Sequence, residues 1–161
     1  MRQADRASRD TAVIRAATGS DHRAVLGLLE VAGLPVAGVL PTLPDFQVVD
    51  VEGRVVGAAG LEVYGRDALL RSVVVEANAR SSGLGVSLVE RILEHARERD
   101  VRAVYLLTTA ADGYFPRFGF ERITREQAPE GVKASVEFRD ACPASAVVMR
   151  KLLEDHDATH R

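Results

Sequence analysis

Arg80, Gly83 and Gly85 lie in the run Arg-Ser-Ser-Gly-Leu-Gly, which joins a segment that reads as strand to one that reads as helix. Before the run, Leu69 to Val75 is apolar and β-branched; after it, Val86 to Arg97 places apolar residues at helical spacing. A glycine-rich turn that opens a helix is an anion site. The first amides of the helix have no internal partner, and the aligned peptide dipoles put partial positive charge there. Gly83 and Gly85 lack the Cβ that would hold a phosphate away from those amides. The spacing therefore points to a phosphorylated cofactor. It does not fit a P-loop, because no Lys follows the glycines, nor a dinucleotide fingerprint, because the order is not G-x-G-x-x-G.

Other residues stand where chemistry could occur. Glu62 falls in a strand candidate beside Gly60, where a carboxylate could accept a proton directly or through water. Arg71 is a cation inside the apolar run Leu69-Leu70-Arg71-Ser72-Val73-Val74-Val75, which is costly without an anionic partner. That partner is either Glu62 across the strands or a substrate carboxylate held in bidentate fashion. Glu62 is thus open to two readings, base or structural partner. Glu137 and His95 are weaker candidate bases, His95 falling in a charged helix that would leave it solvated. Cys142 is the single cysteine, so there is neither an internal disulfide nor a multi-cysteine metal site, and an inert buried thiol is the reading.

These residues need a framework, and the chain supplies one. Thr11 to Ala16 reads as a strand. Thr18, Ser20 and Asp21 offer capping chemistry before a helix that stops near Gly33. The apolar, proline-rich stretch Leu34 to Pro44 either lines a substrate pocket or forms a short irregular helix. Phe46 to Val51, Glu52-Gly53 and Arg54 to Tyr64 read as a hairpin, in which Gly57 and Gly60 predict a bulge or a ligand approaching closely. Strand Leu69 to Val75, the helix from Gly83 to Arg99 and strand Val101 to Thr109 follow. A short helix, Asp112 to Phe118, ends at Gly119, and Phe120 to Thr124 and Ala146 to Leu152 close the list of strands. Residues 11–153 are expected to form one domain between a mobile N-terminal tail, 1–10, and a C-terminal tail, 154–161.

Composition narrows the class. The 161 residues suit one domain burying roughly 70% of its unfolded surface. Hydrophobic residues make up 47%, so a packed core is expected rather than disorder. The net charge of −2 gives no electrostatic footprint for nucleic acid. No apolar run approaches ~18 residues, so no membrane span is expected, and the charged start lacks the apolar core of a secretory signal. A cytoplasmic protein is the expectation.

The order of elements, with Arg80-Ser81-Ser82-Gly83-Leu84-Gly85 between strand and helix, resembles the acetyl-CoA pyrophosphate loop of the GNAT superfamily of N-acetyltransferases. About 25 residues further on, Ala110-Ala111-Asp112-Gly113-Tyr114-Phe115-Pro116-Arg117-Phe118-Gly119-Phe120 is similar to the segment after the fifth strand of that family. The resemblance covers about residues 12 to 152. It implies an α+β fold with a mixed, mostly antiparallel sheet of six to seven strands, flanked by helices and splayed where acetyl-CoA enters. It implies that the backbone around Val73, Val74 and Val75 pairs with the pantetheine arm. The pyrophosphate would rest on the amides of Gly83, Leu84, Gly85, Val86 and Ser87, with Arg80, Ser81 and Ser82 at the mouth of the loop. Thr109 and Phe115 would complete the cofactor contacts.

The implied reaction is direct acetyl transfer within a ternary complex, from the thioester to a deprotonated amine. One departure from the family is plain. The position of its usual leaving-group acid, a Tyr five residues before the last Phe, is Phe115 here, which has no proton to give. Tyr114 is one place earlier and would point about 100° away on a helix. The thiolate therefore leaves unprotonated, or is served by Tyr114, water, Thr108 or Thr109. Tyr105 reads as structural. Arg71 with Ser72 and Thr108 would contact the acceptor, and Lys133, Arg139 and Ser135 lie in a loop that could close over it.

The stretch Leu106-Leu107-Thr108-Thr109 resembles the acetyltransferase domain of N-acetylglutamate synthases. Lys133 to Phe138 with Cys142 to Ala146 resembles a stand-alone subgroup associated with arsenic-resistance operons. The implied acceptor is a small amino-acid-like amine, glutamate or a phosphinic or arsinic analogue, in arsenic or xenobiotic resistance. An acetyl-CoA-binding regulatory module without transfer, and a protein or peptide amine acetyltransferase, are the alternatives. Homodimerisation through the C-terminal strands is compatible with such a fold.

Overall fold

The computed structural model describes residues 11–141 and 145–154. Cys142, the tail at 1–10 and the last residues, 155–161, lie outside the described residues, as do the side chains of Arg80, Ser81 and Ser82. Seven strands form one sheet: β1 (Ala12–Ala16), β2 (Phe46–Val51), β3 (Arg54–Tyr64), β4 (Asp67–Val75), β5 (Ala103–Thr108), β6 (Glu121–Ile123) and β7 (Val147–Leu152). Their order is β1-β2-β3-β4-β5-β7-β6, with β4 and β5 parallel. The pairs β1–β2, β2–β3, β5–β7 and β6–β7 are antiparallel. This is the mixed, mostly antiparallel sheet that the sequence predicts. The helices are α1 (His22–Ala32), α2 (Val39–Thr42), α3 (Leu84–Glu98) and α4 (Glu130–Lys133), joined by short 3₁₀ turns.

Local chemistry explains most boundaries. The Thr18 amide donates to Asp21 Oδ2 at 2.7 Å, closing a capping box before α1. Gly33, at φ 70°, ends α1, and the Leu34 amide turns back to the Leu29 carbonyl at 2.9 Å. The apolar stretch after it becomes α2 and a 3₁₀ turn, burying Val39 and Leu43. Glu52 at φ 51° and Gly53 at φ 87° make the two-residue turn whose twist suits a hairpin. The predicted bulge is real: Val49 faces Gly57 while Asp50 faces Val55, leaving Val56 as the extra residue. Gly60 does admit a close approach, but by the Phe46 ring, which a Cβ there would meet at 2.1 Å, and not by a ligand.

The described chain packs as two compact units. The first comprises residues up to Gly60 with Ser72–Leu93; the second comprises Leu61–Arg71 with the chain from Glu94 onward. In the first, Val25 and Leu29 of α1, Val39, Leu43, Phe46, Val48, Ala58 and Val74 form the core. In the second, Leu69, Ala103, Tyr105, Ala128, Val132, Phe138 and Val148 do so, with Tyr64 packed against them. Tyr105 is structural, as expected, and burial raises its phenol above the ordinary range.

Three features of the fold differ from expectation. The helix expected over 112–118 is only a 3₁₀ turn, Phe115–Phe118, stopped by Gly119 at φ 94°. The segment read as a loop around Lys133–Arg139 contains α4 and a π-helical turn, Glu137–Ala141. In β4, Ser72 takes φ 60°, a left-handed residue within a strand that costs about 1–2 kcal/mol. The β4–β5 ladder runs from Asp67↔Ala103 to Leu69↔Tyr105, while β4 continues to Val75 and β5 to Thr108.

Candidate active site

The glycine loop leads into α3 as the sequence demands. Gly83 sits at φ 80°, a conformation that favours glycine, and a Cβ there would meet nothing within 4 Å. Glycine is thus required by backbone geometry at this position, more than by lack of space. The Ser87 amide donates to the Gly83 carbonyl at 3.2 Å, the first closed turn of the helix. Ser87 is therefore removed from the set of amides expected to face a phosphate; its exposed hydroxyl is what it still offers. The amides of Leu84, Gly85 and Val86 precede the first turn's closure, while Gly83 caps the end of the 3₁₀ turn Ala77–Ser82. Leu84 is buried, Gly85 and Val86 half-buried.

Upstream, Val73 is half-buried, with Val74 and Val75 buried. The Glu76 amide donates to the Val56 carbonyl of β3 at 2.7 Å. Strand alternation then turns the backbone groups of Val73 and Val75 to the opposite edge of β4.

The second constellation lies wholly in the second unit. The Arg71 side chain is 0% exposed. Its Nη1 donates to Glu62 Oε2 at 2.8 Å and its Nε pairs with Glu137 Oε2 at 3.0 Å. The Tyr64 hydroxyl donates to Glu62 Oε1 at 2.5 Å. Of the two partners left open for Arg71, the structure supplies Glu62, and it adds Glu137. Both carboxylates are buried, so one guanidinium faces two of them. Burial first, then the hydrogen bond and charge of Glu62, push the Tyr64 phenol far above its ordinary range, with Arg71 opposing.

The remaining candidates are placed as follows. Tyr114 is half-buried at the entry to the 3₁₀ turn, edge-on to Phe115 and Phe118 at centroid distances of 5.3 and 5.4 Å. Arg117 stacks over its ring at 4.3 Å. Phe115 is buried and meets Phe120 edge-on. Thr108 Oγ1 accepts the Ala111 amide at 2.8 Å, capping the turn after β5, and Thr109 is exposed. Ser72 is buried. Lys133 pairs with Glu130 at 3.1 Å. Ser135 is buried, its Oγ accepting the Phe138 amide at 3.3 Å. Neither is placed on an open loop, contrary to expectation, because α4 and the π-helical turn fold that stretch into the core. Arg139 is exposed. His95 is half-buried beside Glu98 instead of solvated.

The Acetyltransferase (GNAT) family model matches residues 40–120, half of the chain. The chain belongs to the GNAT acetyltransferase family. It is 32% identical over 98 residues to an uncharacterised N-acetyltransferase of Chlorobaculum tepidum, a match covering 60% of this chain and 63% of that protein. It is 30% identical over 107 residues to an amino-acid acetyltransferase of Mycobacterium tuberculosis, covering 65% and 58% respectively. The match therefore spans about three fifths of the length of these relatives. Among solved structures, N-acetylglutamate synthase from Neisseria gonorrhoeae, complexed with coenzyme A and N-acetyl-glutamate, superposes with a TM-score of 0.77. That likeness is one of fold, at 19% identity, covering 89% of this chain and 35% of that one.

Within this GNAT chain, two members of the buried cluster were within reach of sequence reasoning. Tyr64 is two residues from Glu62 on one strand, so period two puts both on one face. Glu137, between Val136 and Phe138, is a carboxylate in apolar company that needs a cation, as Arg71 needs an anion.

Proposed function

We propose that the chain is an acetyl-CoA-dependent N-acetyltransferase acting on a small amino-acid-like amine by direct transfer. The observation that carries this is the glycine-opened start of α3, following β4 in a chain of the GNAT family. The pyrophosphate would lie on the amides of Gly83, Leu84, Gly85 and Val86, with Arg80, Ser81 and Ser82 at the loop. The pantetheine arm would pair with the backbone of β4 around Val73, Val74 and Val75. Glu62 would take the amine proton; each of its oxygens has a second lone pair beside the one already engaged.

The acceptor class follows from relatives named amino-acid acetyltransferases. Glutamate, or an analogue with a phosphinic or arsinic group, is the substrate proposed, with arsenic resistance as the physiological setting of the latter. Arg71 would grip an acceptor carboxylate only by exchanging Glu62 or Glu137 for it.

A second reading, an acetyl-CoA-binding module without transfer, is favoured by Phe115 at the usual place of the acid. Thiol release from acetyl-CoA, followed over a panel of amino acids, dicarboxylates and their phosphinic and arsinic analogues, separates the two. Turnover confined to glutamate-like amines is the expected result. Binding of acetyl-CoA with no thiol release from any amine would favour the module.

A further inference from the structure

Glu62 is gripped at both oxygens, by Arg71 Nη1 on one side and the Tyr64 hydroxyl on the other. A carboxylate held this way has a fixed plane, so its remaining lone pairs point in fixed directions. Arg71 is held in turn by Glu137 through Nε. Tyr64 is held by packing: a Cβ on Gly131 would lie 3.2 Å from Tyr64 Cβ, so α4 sits directly against the base of that side chain. Glu137 and Gly131 belong to one stretch, residues 130–141. Phe138, next to Glu137, is buried in the core cluster on which Tyr64 packs, and Ser135 Oγ fixes its amide. The raised phenol of Tyr64 keeps its proton across the working range, so it remains a donor to Glu62.

We infer that Tyr64 and Glu137 are positioning residues for Glu62, and that the 130–141 stretch serves the reaction by clamping this cluster instead of closing over the acceptor. The inference rests on the transferase reading above, with Glu62 as base. In that step the amine's proton passes to Glu62. The freed nitrogen lone pair attacks the thioester carbonyl, the C–S bond breaks, coenzyme A leaves as thiolate, and the second proton shed as the nitrogen becomes an amide goes to that thiolate or to water. Nothing in this assigns Tyr64 or Glu137 a contact with substrate. They act by fixing where Glu62 stands, which is why position, and not proton transfer itself, is what their loss should disturb.

The test uses the full chain, as wild type, Tyr64→Phe and Glu137→Gln. Both variants keep the shape, and Gln keeps an acceptor for Arg71 Nε, so both are expected to fold. Thiol release is measured across pH with the amine that the wild type uses, together with melting temperature. Each variant is expected to lower kcat about tenfold, with the KM for acetyl-CoA changed by less than about twofold. The acid side of the pH–rate profile should also move. Lower melting temperatures with kcat and pH profile unchanged would make the cluster structural and overturn the inference while leaving the transferase reading intact. No thiol release from the wild type with any amine would overturn both.

Discussion

A single guanidinium buried between two carboxylates sets the strongest constraint at the level of residues. Removing Arg71 would take from Glu62 and Glu137 the guanidinium that they share. Arg71→Ala is therefore expected to cost about 3–5 kcal/mol of stability, read by urea denaturation, so its kinetics alone would not report on substrate binding. Asp21 offers a cleaner titration. Arg15 donates to both its oxygens, at 2.8 and 3.0 Å, and chiefly this contact draws the carboxyl down to about 2. The folded value lies below the unfolded one, so the contribution is present above the ordinary carboxylate range and lost as pH falls through about 2. Asp21→Asn should cost about 1–2 kcal/mol at neutral pH, discounted because Arg15 is partly exposed. That difference should shrink towards zero in denaturation curves taken near pH 2.

Among elements, α3 depends on how it begins. With Gly83 at φ 80°, Gly83→Ala is expected to lose about 1–2 kcal/mol and to weaken acetyl-CoA binding, which calorimetry would measure directly. Elements with a strong local signal were legible in the sequence. The β2–β3 hairpin bounds were read residue for residue from Glu52-Gly53, and α3 to within a residue from its apolar spacing and glycine start. The 130–141 stretch was not legible, and the reason is physical. A four-residue helix and a π-helical turn are too short to show a period, and Phe138 and Val132 are held by tertiary packing that no local pattern announces. Glu137 was a candidate on sequence grounds, but which cation it meets was not legible, since 66 positions separate it from Arg71 and only the fold brings them together.

For the whole molecule, the family could be read from two short motifs in order, while the acceptor could not. Backbone amides at a helix start are announced by glycines. A pocket for an amine is made of side chains drawn from separate elements, and the sequence records no distance between them. If the cofactor reading holds, ligand and stability are linked across the chain. Acetyl-CoA at a hundredfold its Kd should stabilise the protein by about 2.7 kcal/mol, raising Tm by roughly 5–10 °C in a thermal scan. A chain without the proposed site would show no shift.

The Phe46 ring resting on Gly60 couples two positions in evolution as well as in space. Any side chain at position 60 must first find the aromatic at position 46 reduced, and reducing Phe46 alone would leave a void in the core of the first unit. The two sites can drift only together, along a narrow path of paired exchanges. A lineage that kept the fold while changing its acceptor should show these two positions varying in step, one growing as the other shrinks.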